Sequence, residues 1–377
     1  MSEQSWSKFW WTHITGASLL VSKVTQALLD NHSICIEVPV DLPWRHEMRS
    51  AVEARYREYS TSGDIIIDVI DAADECIPES SPGTFLLTRY GQTPEIQNGY
   101  RTRSGRSIQD YLKEYQVLKS RILWIKGLSD KQAEEWFQFC REYHPSSSEQ
   151  GLFVLERQGH QAQTDKNIPI VRFTDHVTSY DVQIFCSFVL SGRTSLSDRW
   201  RQYLSVAVAA LCETDAEVSE LLINLGNPKD LLLLEKIREI AGMDFYSARG
   251  NCPDSTHVLN LSRSGDEDAL RKRIWKAQIQ TLLPAIEFER NLFVEQNYEL
   301  LRSTLSENSI EQFKVHLTDP ADIEIGTLSY LLDSNIISSD RFPNLNIRKR
   351  ISFLRKCRNQ LAHAHCCSDE QVAELLG

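Results

Sequence analysis

The sequence predicts an α/β N-terminal domain with a mainly parallel sheet, followed by an all-α helical bundle. Three observations carry this. Up to about residue 190, short β-branched and apolar runs alternate with segments of helical length, the pattern of a parallel sheet covered by helices. After about Leu196 the strand-like runs stop and only helical spacing continues. The chain has 377 residues, too many for one typical core, so two or three domains are expected.

The elements follow in order. Ser33 to Val40 is an apolar strand, Arg45 to Tyr59 an amphipathic helix, and Asp64 to Ile70 (DIIIDVI) a buried strand. Phe85 to Tyr90 reads as a further strand and Ile108 to Ser120 as a helix. Arg121 to Lys126 (RILWIK) is a strand, Asp130 to Tyr143 a helix, and Leu152 to Glu156 and Ile168 to Phe173 short strands before a helix from about Ser179. His144 to Gln150 is a polar surface loop. In the second half, Trp200 to Cys212, Ala216 to Leu225 and Pro228 to Gly242 have helical spacing, the last with Asp230 as its cap. Ser247 to Asp268 reads as a Gly/Ser/Asp-rich linker. Leu270 to Leu300 is one long helical pattern with Pro284 as a kink or break, and Ser306 to Leu317, Ile323 to Leu332 and Ile347 to Ala364 complete a bundle. The expected domains are residues 1–190, a helical connector and linker over 191–268, and a helical domain over 269–377.

Composition narrows the function. A hydrophobic content of 41% with 25% charged residues is ordinary for a globular protein. No apolar run approaches the roughly 20 residues that cross a bilayer, and the polar N-terminus lacks a signal-peptide core, so a cytoplasmic protein without membrane partners is expected. The nine cysteines form no C-x-x-C pair, which argues against a disulfide framework or a zinc site; Cys366 and Cys367 beside His363 and His365 are too closely spaced to share one ion. A net charge of −11 disfavours broad nucleic-acid binding, so any such site is a local basic patch. Arg348, Lys349, Arg350, Arg355 and Lys356 supply one, just ahead of His363; a solvated helix face is the alternative.

The first half holds one candidate phosphate loop. The candidate runs from Ile14 to Thr25, with Gly16 as its glycine and Lys23 as its lysine, but Val21 stands where the second glycine belongs and Lys23 falls one residue late. Over about Trp10 to Val189 the arrangement resembles a degenerate P-loop ATPase core of prokaryotic defence proteins. That resemblance implies ATP and magnesium as ligands, with Gly16, Lys23 and Asp71 at the site and Asp68 as a less well placed carboxylate; an α/β interaction domain with no ligand is the rival. Trp10, Trp11 and Trp44 are candidates for base stacking but suit a core better, and the basic stretch Gly99 to Arg106 is a candidate phosphate contact or a solvated loop.

The most specific signal is Arg358-Asn359-Gln360-Leu361-Ala362-His363. Arginine holds a phosphate bidentately, histidine exchanges a proton near neutral pH, and asparagine can orient either. The segment resembles the R-N-x-x-x-H motif of HEPN domains, a helical family rich in metal-independent ribonucleases of toxin and antiviral systems, and the resemblance extends weakly upstream through Trp275–Gln278 to Glu287 and Arg290, which are spaced to pair. It implies that Arg358 binds the scissile phosphate, that His363 is general acid or base, that Asn359 positions the pair, and that two copies join through this helix without any cofactor. Helical geometry points the same way: five residues separate Arg358 from His363, roughly 140° around a helix. Either the helix ends near Ala362 or a second copy completes the site. Arg358 falls on the apolar face of Ile347, Ile351, Leu354 and Leu361, where a buried cation needs a partner. His365 is a second histidine, off register. The expected function is a metal-independent endoribonuclease effector, with RNA and operon-encoded proteins as partners; the alternatives are a non-catalytic scaffold or an NTP-binding switch.

Overall fold

The computed structural model describes residues 5–60, 65–75, 81–100, 105–144, 150–159, 168–227, 230–251, 255–312, 314–334, 336–337 and 345–377. The chain divides into two compact units, one of Met1–Phe185 with Thr214–Val218, the other of Cys186–Glu213 with Ser219–Gly377.

The first unit is built on five parallel strands, β1 (Ile34–Val38), β2 (Ile66–Asp71), β3 (Arg121–Lys126), β4 (Leu152–Gln158) and β5 (Ile170–Arg172), in the order β2-β3-β4-β1-β5. β1 and β4 are buried along almost their whole length, as strands covered on both faces must be. The helices are α1 (Trp6–His13), α2 (Thr15–Leu29), α3 (Arg45–Tyr59), α4 (Ala72–Glu75), α5 (Pro82–Tyr90), α6 (Pro94–Gly99), α7 (Ile108–Glu114), α8 (Asp130–Tyr143) and the start of α9 (Ser179–Ser191). One core joins Leu123, Ile125, Phe153 and Leu155 of the sheet to Leu86, Leu112, Trp136 and Phe139 of α5, α7 and α8. Trp10 and Trp11 are fully buried and stack edge-to-face, so they are core residues.

Phe85–Tyr90 is helix rather than strand. Ser81 accepts from the Thr84 amide and Pro82 occupies the first turn, a start signal that outweighs the short apolar run. Of the basic stretch Gly99–Arg106, residues 101–104 lie outside the described residues; Arg106 pairs with Glu114.

The second unit is helical apart from one hairpin. Its helices are the end of α9, α10 (Asp198–Cys212), most of α11 (Ala216–Asn224), α12 (Leu233–Ala241), α13 (Val258–Ser264), α14 (Glu267–Gln296), α15 (Tyr298–Glu307), α16 (Ile325–Asp333), α17 (Leu345–Ala362) and α18 (Asp369–Leu376). α14 is the spine, packing on α10, α13, α17 and α18. Pro284 does not break it: a proline costs one backbone bond, and Leu282 and Ile286, both fully buried, hold the helix through that point.

Four expectations fail here. α12 starts after Leu232, itself left-handed, and not after Asp230. The 247–268 segment contains α13, because Val258, Leu259 and Leu261 bury an apolar face and the His257 side chain caps it. Helix stops at Glu307, and Glu311–Gln312 (β6) pairs antiparallel with Val315–His316 (β7) instead of extending to Leu317. α18 was not foreseen. No helix among the described residues is long and apolar enough to cross a membrane.

Candidate functional site

Two places carry chemistry, one in each unit. The first is the carboxyl edge of the sheet. From β1 the chain goes to β2 at one edge, whereas from β4 it goes past β1 to β5 at the other. The connections from the adjacent strands β4 and β1 therefore run in opposite directions, and open α/β sheets hold ligands in the crevice beyond such a reversal. The relevant turn is therefore Pro39–Trp44, between β1 and α3.

Its polar groups are already taken. Two of its six residues, Pro39 and Pro43, have no N–H to offer a phosphate. Trp44 adopts a left-handed backbone (φ 44°) and its amide donates to Glu217 Oε2 at 2.8 Å. Arg45 Nη1 lies 3.1 Å from Glu156 Oε1, Nη2 donates to the Val40 carbonyl at 3.2 Å, and the Gln158 amide oxygen, turned inward, accepts from both Nη atoms. Glu156 is buried and also accepts from Trp124 Nε1 at 2.7 Å.

The residues expected to hold a nucleotide do not converge. Gly16 and Lys23 both lie in α2, with no loop between them. The Gly16 amide donates to Asp181 Oδ1 at 2.9 Å, so a carboxylate of the unit itself occupies the position an anion would take at this helix start. A Cβ on Gly16 would come within 2.3 Å of the His176 carbonyl oxygen, which explains the glycine by packing. Lys23 is exposed two turns further on. Asp71 ends β2, three strands from β1 and so roughly 14 Å from it. It pairs with Lys126, whose ammonium holds the Asp71 carboxyl below its ordinary range, and Asp68 pairs with Arg121 at 2.6 Å.

The second place is the end of α17. Ile351, Leu354, Cys357 and Leu361 are buried, and Trp275 Nε1 of α14 donates to the Leu361 carbonyl at 2.8 Å. The helix does end at Ala362. Ala364 takes the left-handed conformation (φ 60°) and the His365 amide closes back on the Gln360 carbonyl at 2.9 Å. The His363 amide still donates to the Asn359 carbonyl at 3.1 Å, so the helical turn runs through His363 and its offset from Arg358 persists. Arg358 is not a buried cation. Its side chain is 36% exposed and lies 3.6 Å from Glu324, a partner within the same unit. Among the described residues the side chains of Asn359 and His363 make no hydrogen bond or ion pair, and His363 is exposed.

The basic cluster splits in two. Arg348 donates to the Leu332 carbonyl at the end of α16 and to the Ile337 carbonyl beyond it, and Arg350 forms a bidentate pair with Glu289 at 2.8 and 2.9 Å, reinforced by Glu374. Both hold the bundle together. Lys349, Arg355 and Lys356 are exposed, Arg355 with only a 3.5 Å contact to Ser329 Oγ. Glu287 and Arg290 do pair, at 2.8 Å. Sequence reasoning missed Arg45, Glu156 and Glu217; the signal that finds them is the turn after the first strand, once strand order is known. Among the described residues no cluster of three or more His, Cys, Asp or Glu side chains is arranged to hold a metal ion. In comparison with known proteins, no family model and no curated protein matches the chain.

Proposed function

We propose that the protein is a metal-independent endoribonuclease of the prokaryotic antiviral or toxin kind, its helical unit HEPN-like and its α/β unit a degenerate P-loop-like core. The observation that carries this is the end of α17, where among the described residues the half-buried Asn359 and the exposed His363 have no side-chain partner beside a loosely paired Arg358.

Arg358 would exchange Glu324 for the scissile phosphate, a doubly hydrogen-bonded contact stronger than a 3.6 Å ion pair. His363 would take the proton of the 2′-hydroxyl, which attacks the adjacent phosphorus; the 5′-oxygen leaves with a proton and a 2′,3′-cyclic phosphate remains. Arg358 would stabilise the charge that develops on the phosphoryl oxygens. Because the two side chains diverge around one helix, Arg358 of one copy works with His363 of another. Lys349, Arg355 and Lys356 would track the RNA backbone.

The committed groups at the sheet edge favour a second role for the α/β unit, as a docking module for partner proteins of a defence operon and not as an ATP/Mg switch. Purified protein should cleave RNA in EDTA, and His363→Ala should abolish cleavage with an unchanged melting curve. Cleavage by that variant at the wild-type rate rejects the catalytic assignment.

A further inference from the structure

The RNA-cutting mechanism leaves a group of nucleophiles unused. Cys357 is the residue before Arg358 on α17, and Cys367 directly precedes the Ser368 cap of α18; both are buried as free thiols. The reversal at Ala364 brings them together. The Cys367 thiol donates to the Cys357 carbonyl oxygen at 3.9 Å, which sets it against the Cys357 residue. Their surroundings fix this contact. Gln278 of α14 brackets Cys367, accepting from its amide at 2.8 Å and donating to its carbonyl at 3.2 Å, while Trp275 anchors the Leu361 carbonyl between the two cysteines. Cys366, the more exposed neighbour, points elsewhere and donates to the Arg271 carbonyl at 3.2 Å.

We propose that Cys357 and Cys367 form a reversible disulfide site, oxidised by a small hydroperoxide, which closes a ring around the segment holding Arg358, Asn359 and His363. A disulfide needs its two residues brought together with little backbone movement, and a Cys367 thiol held 3.9 Å from the Cys357 backbone carbonyl meets that need. Burial of both thiols selects a small neutral oxidant over a bulky disulfide. The Cys357 sulfur attacks one peroxide oxygen; the O–O bond breaks, a sulfenic acid forms and water leaves. The Cys367 sulfur then attacks the sulfenic sulfur, the S–S bond forms, and the hydroxyl departs with the Cys367 proton as a second water. Two thiols are oxidised and one hydrogen peroxide is reduced to two waters. Cys357 acts first because the hydrogen bond from Cys367 stabilises its thiolate and lowers its pKa.

The site stands whether or not the protein cuts RNA, and its test does not use activity. The full-length protein is treated briefly with hydrogen peroxide, unfolded, alkylated and mapped by peptide mass spectrometry. The expected product is a Cys357–Cys367 cross-linked peptide that dithiothreitol reverses, that Cys366→Ser retains and that Cys367→Ser lacks. Recovery of both Cys357 and Cys367 as alkylated thiols while Cys366 is oxidised, or a cross-link from Cys366 to either, overturns the proposal. The wild-type map alone decides this if a variant does not fold.

Discussion

At the carboxyl edge of the sheet, Arg45 is held by Glu156, Gln158 and the Val40 carbonyl and the Trp44 amide by Glu217, whereas among the described residues at the end of α17 the side chains of Asn359 and His363 have no partner and Arg358 holds Glu324 at 3.6 Å. Both places combine an arginine with polar neighbours, and the first lies where open α/β sheets hold ligands. The difference is commitment. A buried polar group left unpaired costs about 1–3 kcal/mol, so folding consumes such groups where it can. Groups that stay solvated at a helix end cost nothing in the empty protein and are free to meet a ligand.

The comparison is broken or sharpened by substitutions on each side. Glu156→Ala should have the largest effect, a loss of about 3 kcal/mol in denaturant unfolding, because it leaves the Trp124 N–H buried and unpaired and removes the carboxylate that Arg45 holds. A loss below about 1 kcal/mol would mean that the edge is not committed. Gln278→Ala should cost about 2 kcal/mol by leaving both backbone groups of Cys367 unpaired. Asp71→Asn should cost stability at neutral pH and lose that effect in acid. Lys126 depresses the folded-state pKa of Asp71, so the pair contributes stability above the ordinary carboxylate value and loses it as pH falls through the depressed one. The variant should flatten that limb by less than about 1 kcal/mol, since both side chains are partly exposed. Lys349→Ala and Lys356→Ala should change stability by less than about 0.5 kcal/mol. Each should nevertheless reduce the salt dependence of RNA binding by about 0.7 in slope. A slope that does not move removes these lysines from the RNA path.

How much of this was legible follows from where the information lies. β1, α3, β3 and α8 were readable because each is a local apolar pattern with its own boundary, as with Ser129 and Gln132 closing a capping box at the start of α8. The same signal, Ser368 and Gln371, marks α18 and was overlooked. Phe85–Tyr90 misled because a short apolar run suits helix or strand, and only Ser81 and Pro82 break the tie. At the candidate site the motif itself was readable from spacing. Its environment was not: Glu324 and Glu289 reach Arg358 and Arg350 from other elements, and Glu217 reaches Trp44 across 173 positions. Strand order decides which turn faces the ligand crevice, and no local pattern encodes it.

If two copies share one cutting site, mixing two dead variants should restore it. Arg358→Ala and His363→Ala proteins should each be inactive on RNA. Refolded together they should recover part of the wild-type activity, because one mixed site pairs an intact Arg358 with an intact His363 from the other chain. Wild-type activity with no recovery in the mixture would place the whole site within one chain and contradict the account.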